Sequence, residues 1–156
     1  AGGGHERGMR SGTLNVPGIV GFGEACSIAR RELADESRRT SHLRDMLLAR
    51  LVAELENVSL NGSRQFRLPN NLNVSFTGVP GEPLMRGLDD VAVSSGSACT
   101  TTSLEPSHVL TAIGVPAELA NSSIRMAVGR FTTPEEIEYA ASKLIGLVRQ
   151  LRTTRG

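Results

Sequence analysis

The chain has 156 residues, a net charge of +1, 39% hydrophobic residues, 21% charged residues and only 3% aromatic residues. This length fits one domain, or one domain with an arm, and the balanced charge argues against a dedicated nucleic-acid surface. No apolar run approaches the roughly 20 residues of a membrane span, and no cleavable leader is recognisable. We therefore expect a cytoplasmic protein with an aliphatic core that binds neither nucleic acid nor membrane.

Cysteine and lysine are both scarce. Cys26 and Cys99 are the only cysteines, and without a secretion signal a pair is expected to stay reduced. Two cysteines do not make a structural zinc site, so no metal site is predicted. Of the 17 basic residues, Lys143 is the only lysine. The sequence begins at Ala1 without an initiator methionine, which leads us to expect a piece of a longer protein.

The first third of the sequence predicts an arm and a long helix. Residues 1–16 are Gly-rich and have no period, which is typical of an arm that approaches another surface closely. Residues 17–55 predict a helix whose second half carries one apolar stripe, at positions 43, 47, 48, 51, 52 and 55. The polar stretch 35–40 predicts that the helix bends there or runs exposed. On this helix we expect Cys26 to be buried as a small hydrophobe and His42 to be solvated.

After Asn57 the pattern changes to short strands and helices. Strands are predicted at 58–60, 72–76, 91–93 and 124–128, and short helices at 82–88 and 107–113. A last helix begins after Thr133 with a capping box and runs to about residue 151. The order predicts an α/β (α+β) fold, a small sheet of about four strands covered by helices. Residues 17–152 then form the long helix plus domain, and residues 153–156 a tail.

Two residues stand out chemically. Cys99 lies in a loop of small residues, 94–106, where a thiolate could act as a mobile nucleophile; the alternative is a buried, inert cysteine after a strand. Arg125 lies on a predicted strand, where its guanidinium could hold a carboxylate through two hydrogen bonds. The alternative for Arg125 is an exposed arginine in a surface ion pair. His108 could lower the pKa of Cys99, or it could simply be an exposed helix residue.

Three stretches carry a family resemblance in their order and spacing: GGGHERGMRSGTL (2–14), SSGSACTTTSLEPSHVL (94–110) and SSIRMAVGRFTTPEEI (122–137). The segment LPNNLNVSF (68–76) fits as well. Together they resemble the C-terminal third to half of the pyridoxal-phosphate-dependent cysteine desulfurases of iron–sulfur cluster assembly, in the class V aminotransferase family. The resemblance implies the C-terminal small domain of that transferase fold, preceded by the long helix and the arm, without the large cofactor domain.

The resemblance also implies chemistry. Such enzymes convert L-cysteine into L-alanine, with pyridoxal phosphate as the electron sink, and form a persulfide that is passed to sulfur-acceptor or scaffold proteins. By the match of motifs, Cys99 is the catalytic nucleophile and Arg125 binds the substrate carboxylate. Thr13 is expected to contact the phosphate of the neighbouring subunit's pyridoxal phosphate in a homodimer, and His5 to line the same site.

The resemblance leaves one requirement unmet, because the family anchors its cofactor through a lysine. Lys143 lies on the last helix, away from every motif, so we expect this chain to bind no cofactor and to be inactive by itself. A standalone persulfide-relay module or an interaction module without cofactor is the alternative. Apolar residues between about 9 and 35, including Leu14, Ile19, Val20 and Phe22, predict self-association through this segment or a different arrangement of it.

Overall fold

The computed structural model describes residues 3–95 and 106–154. The chain divides into two compact units, Ala1–Asp35 and Glu36–Gly156. The described elements, in chain order, are a 3₁₀ turn at Glu6–Gly8, α1 (Val16–Glu54), β1 (Val58–Leu60), β2 (Asn71–Phe76), α2 (Gly81–Arg86), α3 (His108–Ala112), α4 (Ala117–Asn121), β3 (Ser123–Ala127) and α5 (Pro134–Thr153). In this part of the chain no helix combines the length and the apolar character needed to cross a membrane.

The first unit contains the arm and the beginning of α1. Asn15 caps the helix, because its Oδ1 accepts a hydrogen bond from the backbone N of Gly18 at 3.1 Å. None of residues 3–35 is buried. The prediction that Cys26 is buried is therefore wrong: its side chain is exposed, since this stretch of α1 packs on no apolar partner within its unit.

The second unit holds the hydrophobic core. The leucines of the predicted stripe, together with Leu55 just after α1, are buried against the sheet and α5, whose contributions include Leu72, Val74, Phe76, Ile124, Ala141, Leu144 and Val148. The helical period therefore predicted this face correctly for Leu43, Leu47 and Leu51. Val52, which was placed in the same stripe, is instead 55% exposed.

The sheet is antiparallel in the order β1-β2-β3, with Val58 opposite Phe76 and Asn73 opposite Arg125. The prediction of a strand at residues 91–93 is wrong, because these residues are not in a strand and only the next residue, Ser94, forms an isolated bridge with Arg125 of β3. Described residues therefore form three strands and one isolated bridge. A mixed fold of helices and a small sheet is nonetheless confirmed.

The connections differ from the sequence prediction in one place and agree in another. The prediction missed α4, which follows Pro116 as its N-cap; the acidic residue in its first turn, Glu118, is a signal that could have found it. The capping box of α5 is present: Thr133 Oγ1 accepts from the backbone N of Glu136 at 3.3 Å, and Glu136 Oε2 accepts from the N of Thr133 at 3.0 Å.

Arginine side chains fix loops around this core by donating to backbone carbonyls. Arg39 donates to three carbonyls of the turn before α5, those of Gly129, Arg130 and Thr132. Arg67 donates to the carbonyls of Ser63 and Asn61, each at 2.8 Å. Partial burial, and next the positive charge of a neighbouring arginine, lower the pKa of the Arg67 guanidinium. The many arginines thus serve the loops as well as the surface charge.

Candidate functional site

A row of polar side chains crosses the sheet on the face opposite the core. Successive side chains of a strand point to opposite faces, so Leu72 and Val74 enter the core while Asn73 points the other way. Asn73 lies opposite Arg125 of β3, which in turn lies opposite Ser94. On the other side, the backbone N of Asn61 donates to the carbonyl of Asn73 at 2.9 Å. The polar row therefore runs Ser94, Arg125, Asn73, Asn61.

Arg125 occupies the centre of the polar row and is exposed. Its backbone N donates to the carbonyl of Ser94 at 2.7 Å, and the N of Ser94 donates back to the carbonyl of Arg125 at 3.0 Å. Its Nη2 donates to Ser94 Oγ at 3.4 Å. None of the ion pairs between residues that the structure describes includes Arg125. A guanidinium fixed on a strand and open to solvent can bind an anion.

A buried hydrogen-bond network adjoins the polar row on the same face of the sheet. The amide Nδ2 of Asn61 lies 2.7 Å from Asn73 Oδ1, 2.8 Å from Ser75 Oγ and 3.1 Å from Ser123 Oγ. Ser123 Oγ also donates to the carbonyl of Leu119 in α4 at 2.7 Å. Sequence reasoning singled out none of the side chains in this network. The signal was present as polar residues at every second position of two strands, Asn73 and Ser75, and Ser123 and Arg125.

In the first unit the arm encloses a concavity of about 520 Å³. His5 and Thr13, the two site residues predicted in the arm, both line it, together with Arg10 and Gly12. Arg10 folds the arm by donating to the carbonyls of Gly12 at 2.9 Å and Thr13 at 2.7 Å. The structure thus brings His5 and Thr13 to one concavity.

Cys99 lies outside the described residues, which stop at residue 95 and resume at 106 on either side of it. His42 on α1 is exposed, as expected, and His108 on α3 is exposed as well. A larger concavity of about 620 Å³, lined mainly by apolar residues of β3, α5 and the segment 91–93, contains none of the predicted site residues.

Lys143 does not suit a cofactor anchor. It lies on α5, where its Nζ is 2.7 Å from Asp89 Oδ1 and also bonds Asp90. The hydrogen bonds that Lys143 donates to these two carboxylates raise its pKa, which keeps the amine protonated, whereas a Schiff base needs the neutral amine. Since the sequence has no other lysine, the residues of this chain do not fit an anchoring site for pyridoxal phosphate.

Comparison with known proteins agrees with the sequence resemblance. The chain is 58% identical to proteins named cysteine desulfurase IscS from Anaeromyxobacter sp. (strain Fw109-5) and Pseudomonas aeruginosa (strain UCBPP-PA14), over 97% of this chain and 37% of each relative. It therefore spans little more than a third of the length of these curated relatives. A NifS-like protein of known structure superposes with a TM-score of 0.80 at 35% identity, over 96% of this chain and 38% of that one.

A second solved structure, a NifS-like protein from Rickettsia africae, gives a TM-score of 0.80 at 31% identity, over 95% of this chain and 39% of its own. Residues 4–140 match the family described as aminotransferase class-V. That match covers most of the arm, all of α1 and the sheet, and the first turns of α5. The chain belongs to the aminotransferase class-V family.

Proposed function

We propose that this chain is the C-terminal part of a cysteine desulfurase that converts L-cysteine into L-alanine and carries the released sulfur as a persulfide on Cys99. The observation that carries the proposal is the 58% identity to cysteine desulfurases along 97% of the chain. The geometry of the polar row supports it. Arg125 is an exposed cation whose backbone N and O both form hydrogen bonds with the backbone of Ser94. Cys99 follows Ser94 by five residues in the sequence.

The proposed reaction balances without an outside oxidant. L-cysteine and the Cys99 thiol give L-alanine and a Cys99 persulfide: the carbon–sulfur bond of the substrate breaks, a sulfur–sulfur bond forms, and the carbon gains a proton. The thiolate is the attacking form, so Cys99 must lose its proton first. Arg125 would hold the substrate carboxylate through two parallel hydrogen bonds. Pyridoxal phosphate, which Lys143 does not suit, would be anchored by parts of the protein outside this chain.

The arm and the partners follow from the same proposal. In a homodimer the hydroxyl of Thr13 would contact the phosphate of the neighbouring subunit's pyridoxal phosphate, with His5 in the same concavity. The persulfide would be passed to sulfur-acceptor or scaffold proteins of iron–sulfur cluster assembly. A cytoplasmic location would keep both cysteines reduced, as a persulfide carrier requires.

A chimera tests the proposal directly. This chain replaces the homologous 37% of the Pseudomonas aeruginosa relative, and alanine formation from L-cysteine is measured. We expect an active chimera. Cys99→Ser should abolish alanine formation because it removes the nucleophile. Arg125→Lys should lower kcat/KM by roughly 100-fold, because an ammonium does not reproduce a two-pronged carboxylate contact. Arg86→Lys, at an exposed ion pair on α2, is the matched control and should leave the rate unchanged.

The alternative relay module gives a different result. Such a module would take sulfane sulfur on Cys99 from a small persulfide donor, with no cofactor, while its chimera made no alanine. Mass spectrometry of the chain before and after treatment, with Cys99→Ser and Cys26→Ser compared, would detect the added sulfur atom. An inactive but folded chimera whose Cys99 still accepts sulfur would replace the desulfurase proposal by the relay.

A further inference from the structure

Asn73 stands directly beside Arg125 in the polar row. The two residues are opposite each other on β2 and β3, where side chains on one face start about 4.5–5.5 Å apart. We propose that the side-chain amide of Asn73 is a second binding group for the carboxylate that Arg125 holds, so that both residues set the specificity for a ligand with a carboxylate. This inference rests on the proposed function only in taking a carboxylate as the ligand of Arg125.

The hydrogen bond to Asn61 orients the side-chain amide of Asn73. Its Oδ1 accepts from Asn61 Nδ2 at 2.7 Å, so the oxygen is turned to the Asn61 side of the polar row. The amide is planar with its two polar atoms on opposite sides of one carbon, which turns Nδ2 toward the Arg125 side. No acceptor for Nδ2 occurs among residues 3–95 and 106–154. Among these residues, the donor is therefore without a hydrogen-bond partner beside the guanidinium.

Asn61 is itself held in one position by its neighbours. Asn61 is only 7% exposed, and its amide is held between the buried hydroxyls of Ser75 and Ser123. Ser75 Oγ also lies 3.1 Å from Asn61 Oδ1, so both ends of the Asn61 amide are engaged. Buried networks with every member satisfied hold one arrangement. The Asn73 amide is thus fixed through its oxygen before any ligand arrives.

Arg125 and Asn73 both present hydrogen-bond donors to a ligand. A guanidinium and an amide NH₂ are both donors and cannot bond to each other. Two donors side by side, one of them charged, are matched by an acceptor group that carries negative charge. A carboxylate has two oxygens and about four lone-pair sites, enough for two bonds from Arg125 and one from Asn73. Ser94 Oγ, on the other flank of Arg125, limits how the guanidinium can turn.

Solution NMR of the ¹⁵N-labelled 156-residue chain tests this inference. The Asn73 side-chain NH₂ and the Arg125 Nε–H signals are followed during titration with propionate, L-alanine and ethylamine, at constant ionic strength set by chloride. We expect propionate and L-alanine to shift both signals with one shared Kd, and ethylamine and chloride to shift neither. The titration of the unsubstituted chain needs no variant, so the result does not depend on a variant's folding.

Substitutions of Asn73 test whether its amide contributes to carboxylate binding. Asn73→Ala should weaken propionate binding roughly tenfold, the effect of one hydrogen bond to a charged group. Asn73→Asp keeps an acceptor for Asn61 but places a negative charge beside the ligand, so binding should be lost. Asn121→Asp makes the same charge change on α4, where residue 121 is exposed, and should bind as the original chain does.

The outcomes separate the two proposals. If propionate shifts Arg125 but leaves the Asn73 NH₂ in place, and Asn73→Ala binds equally well, Arg125 keeps its proposed role and the inference about Asn73 is overturned. If neither signal responds to any carboxylate, the carboxylate role of Arg125 is overturned, and the inference about Asn73 with it.

Discussion

The two ends of α1 carry similar apolar residues, but these residues are exposed at one end and buried at the other. In the first unit the apolar side chains of Val16, Ile19 and Phe22 are 58%, 55% and 73% exposed. In the second unit Leu47 and Leu51 of the same helix are at most 3% exposed. The helix is continuous, so secondary structure does not explain the difference. Strands and α5 supply apolar partners only in the second unit, and an apolar helix face without partners is typical of a surface that another chain covers.

Self-association gives the largest expected effect. Because Ile19, Val20 and Phe22 are exposed together near the start of α1, we expect the chain to associate through residues of about 9–35. Light scattering during size-exclusion chromatography should give a mass well above 16.6 kDa, the mass of one chain. The double variant Ile19→Glu, Phe22→Glu should return the mass to one chain, since burying two carboxylates in an apolar contact is costly.

The control for this test lies on the same helix. Val52 is exposed in the second unit, so Val52→Glu adds one charge at a similar exposed apolar position outside the proposed contact. It should leave the mass unchanged. A strictly single-chain mass for the unsubstituted protein would show that exposed apolar residues in the first unit do not act as a contact.

The second prediction compares one phenylalanine from each unit. Phe76 is fully buried in β2, so Phe76→Ala should lower the free energy of unfolding by about 3–5 kcal/mol, from lost burial and the cavity left behind. Phe22→Ala should change it by less than about 0.5 kcal/mol, as for other exposed positions. Urea unfolding at a low protein concentration measures both, because dilution keeps self-association from contributing. Equal losses would contradict the division between a packed and an unpacked region.

The sequence predicted elements well where one local rule decided them. The leucine stripe of α1 and the capping box of α5 are patterns of neighbouring residues, and both are present in the structure. Cys26 and the segment 91–93 were predicted wrongly, because their state depends on partners that lie elsewhere. An apolar helical face is buried only if something covers it, and three apolar residues form a strand only if a neighbouring edge pairs along them all.

The candidate site likewise combines a residue found from a local motif with residues that only tertiary structure brings together. Arg125 was found from a motif, and its exposure on β3 fits the expectation of an available cation. Asn61 and Asn73 were not found, because they are 12 residues apart and their relation depends on the pairing of β1 with β2. Register is a property of tertiary structure, so no pattern within one segment shows which polar residues share a row.

The third prediction compares the helix caps of the two units. Thr133→Ala removes the side-chain cap of α5 and should destabilise the second unit by about 1 kcal/mol. Asn15→Ala removes the equivalent bond at the start of α1 and should fray the first turn without moving the unfolding transition of the core. Circular dichroism follows helix content, and urea unfolding gives the stability. Loss of core stability in Asn15→Ala would show that the first unit supports the second.

The smallest expected effect is a pH dependence from the ion pairs of Lys143. Hydrogen bonds from Lys143 lower the pKa of Asp89 and Asp90 below their usual value of 3.8, and the same carboxylates raise the pKa of Lys143 above 10.5. A carboxyl group with a lowered pKa stabilises the fold above its usual pKa and loses this effect as the pH falls through the folded-state value. A lysine with a raised pKa stabilises below its usual pKa and loses the effect as the pH rises through the folded-state value.

Lys143→Met removes both contributions while keeping the aliphatic part of the side chain. We expect the original chain to be slightly more stable than this variant between about pH 5 and 9. The difference should shrink below pH 3.8 and again above pH 10.5, which are the ordinary values of the two kinds of group. It should also shrink in 1 M NaCl, because salt screens exposed charges. Urea unfolding midpoints across this pH range measure the difference in stability. A difference that grew as the pH fell below 3.8 would show that the carboxylates of Asp89 and Asp90 do not stabilise the fold through Lys143.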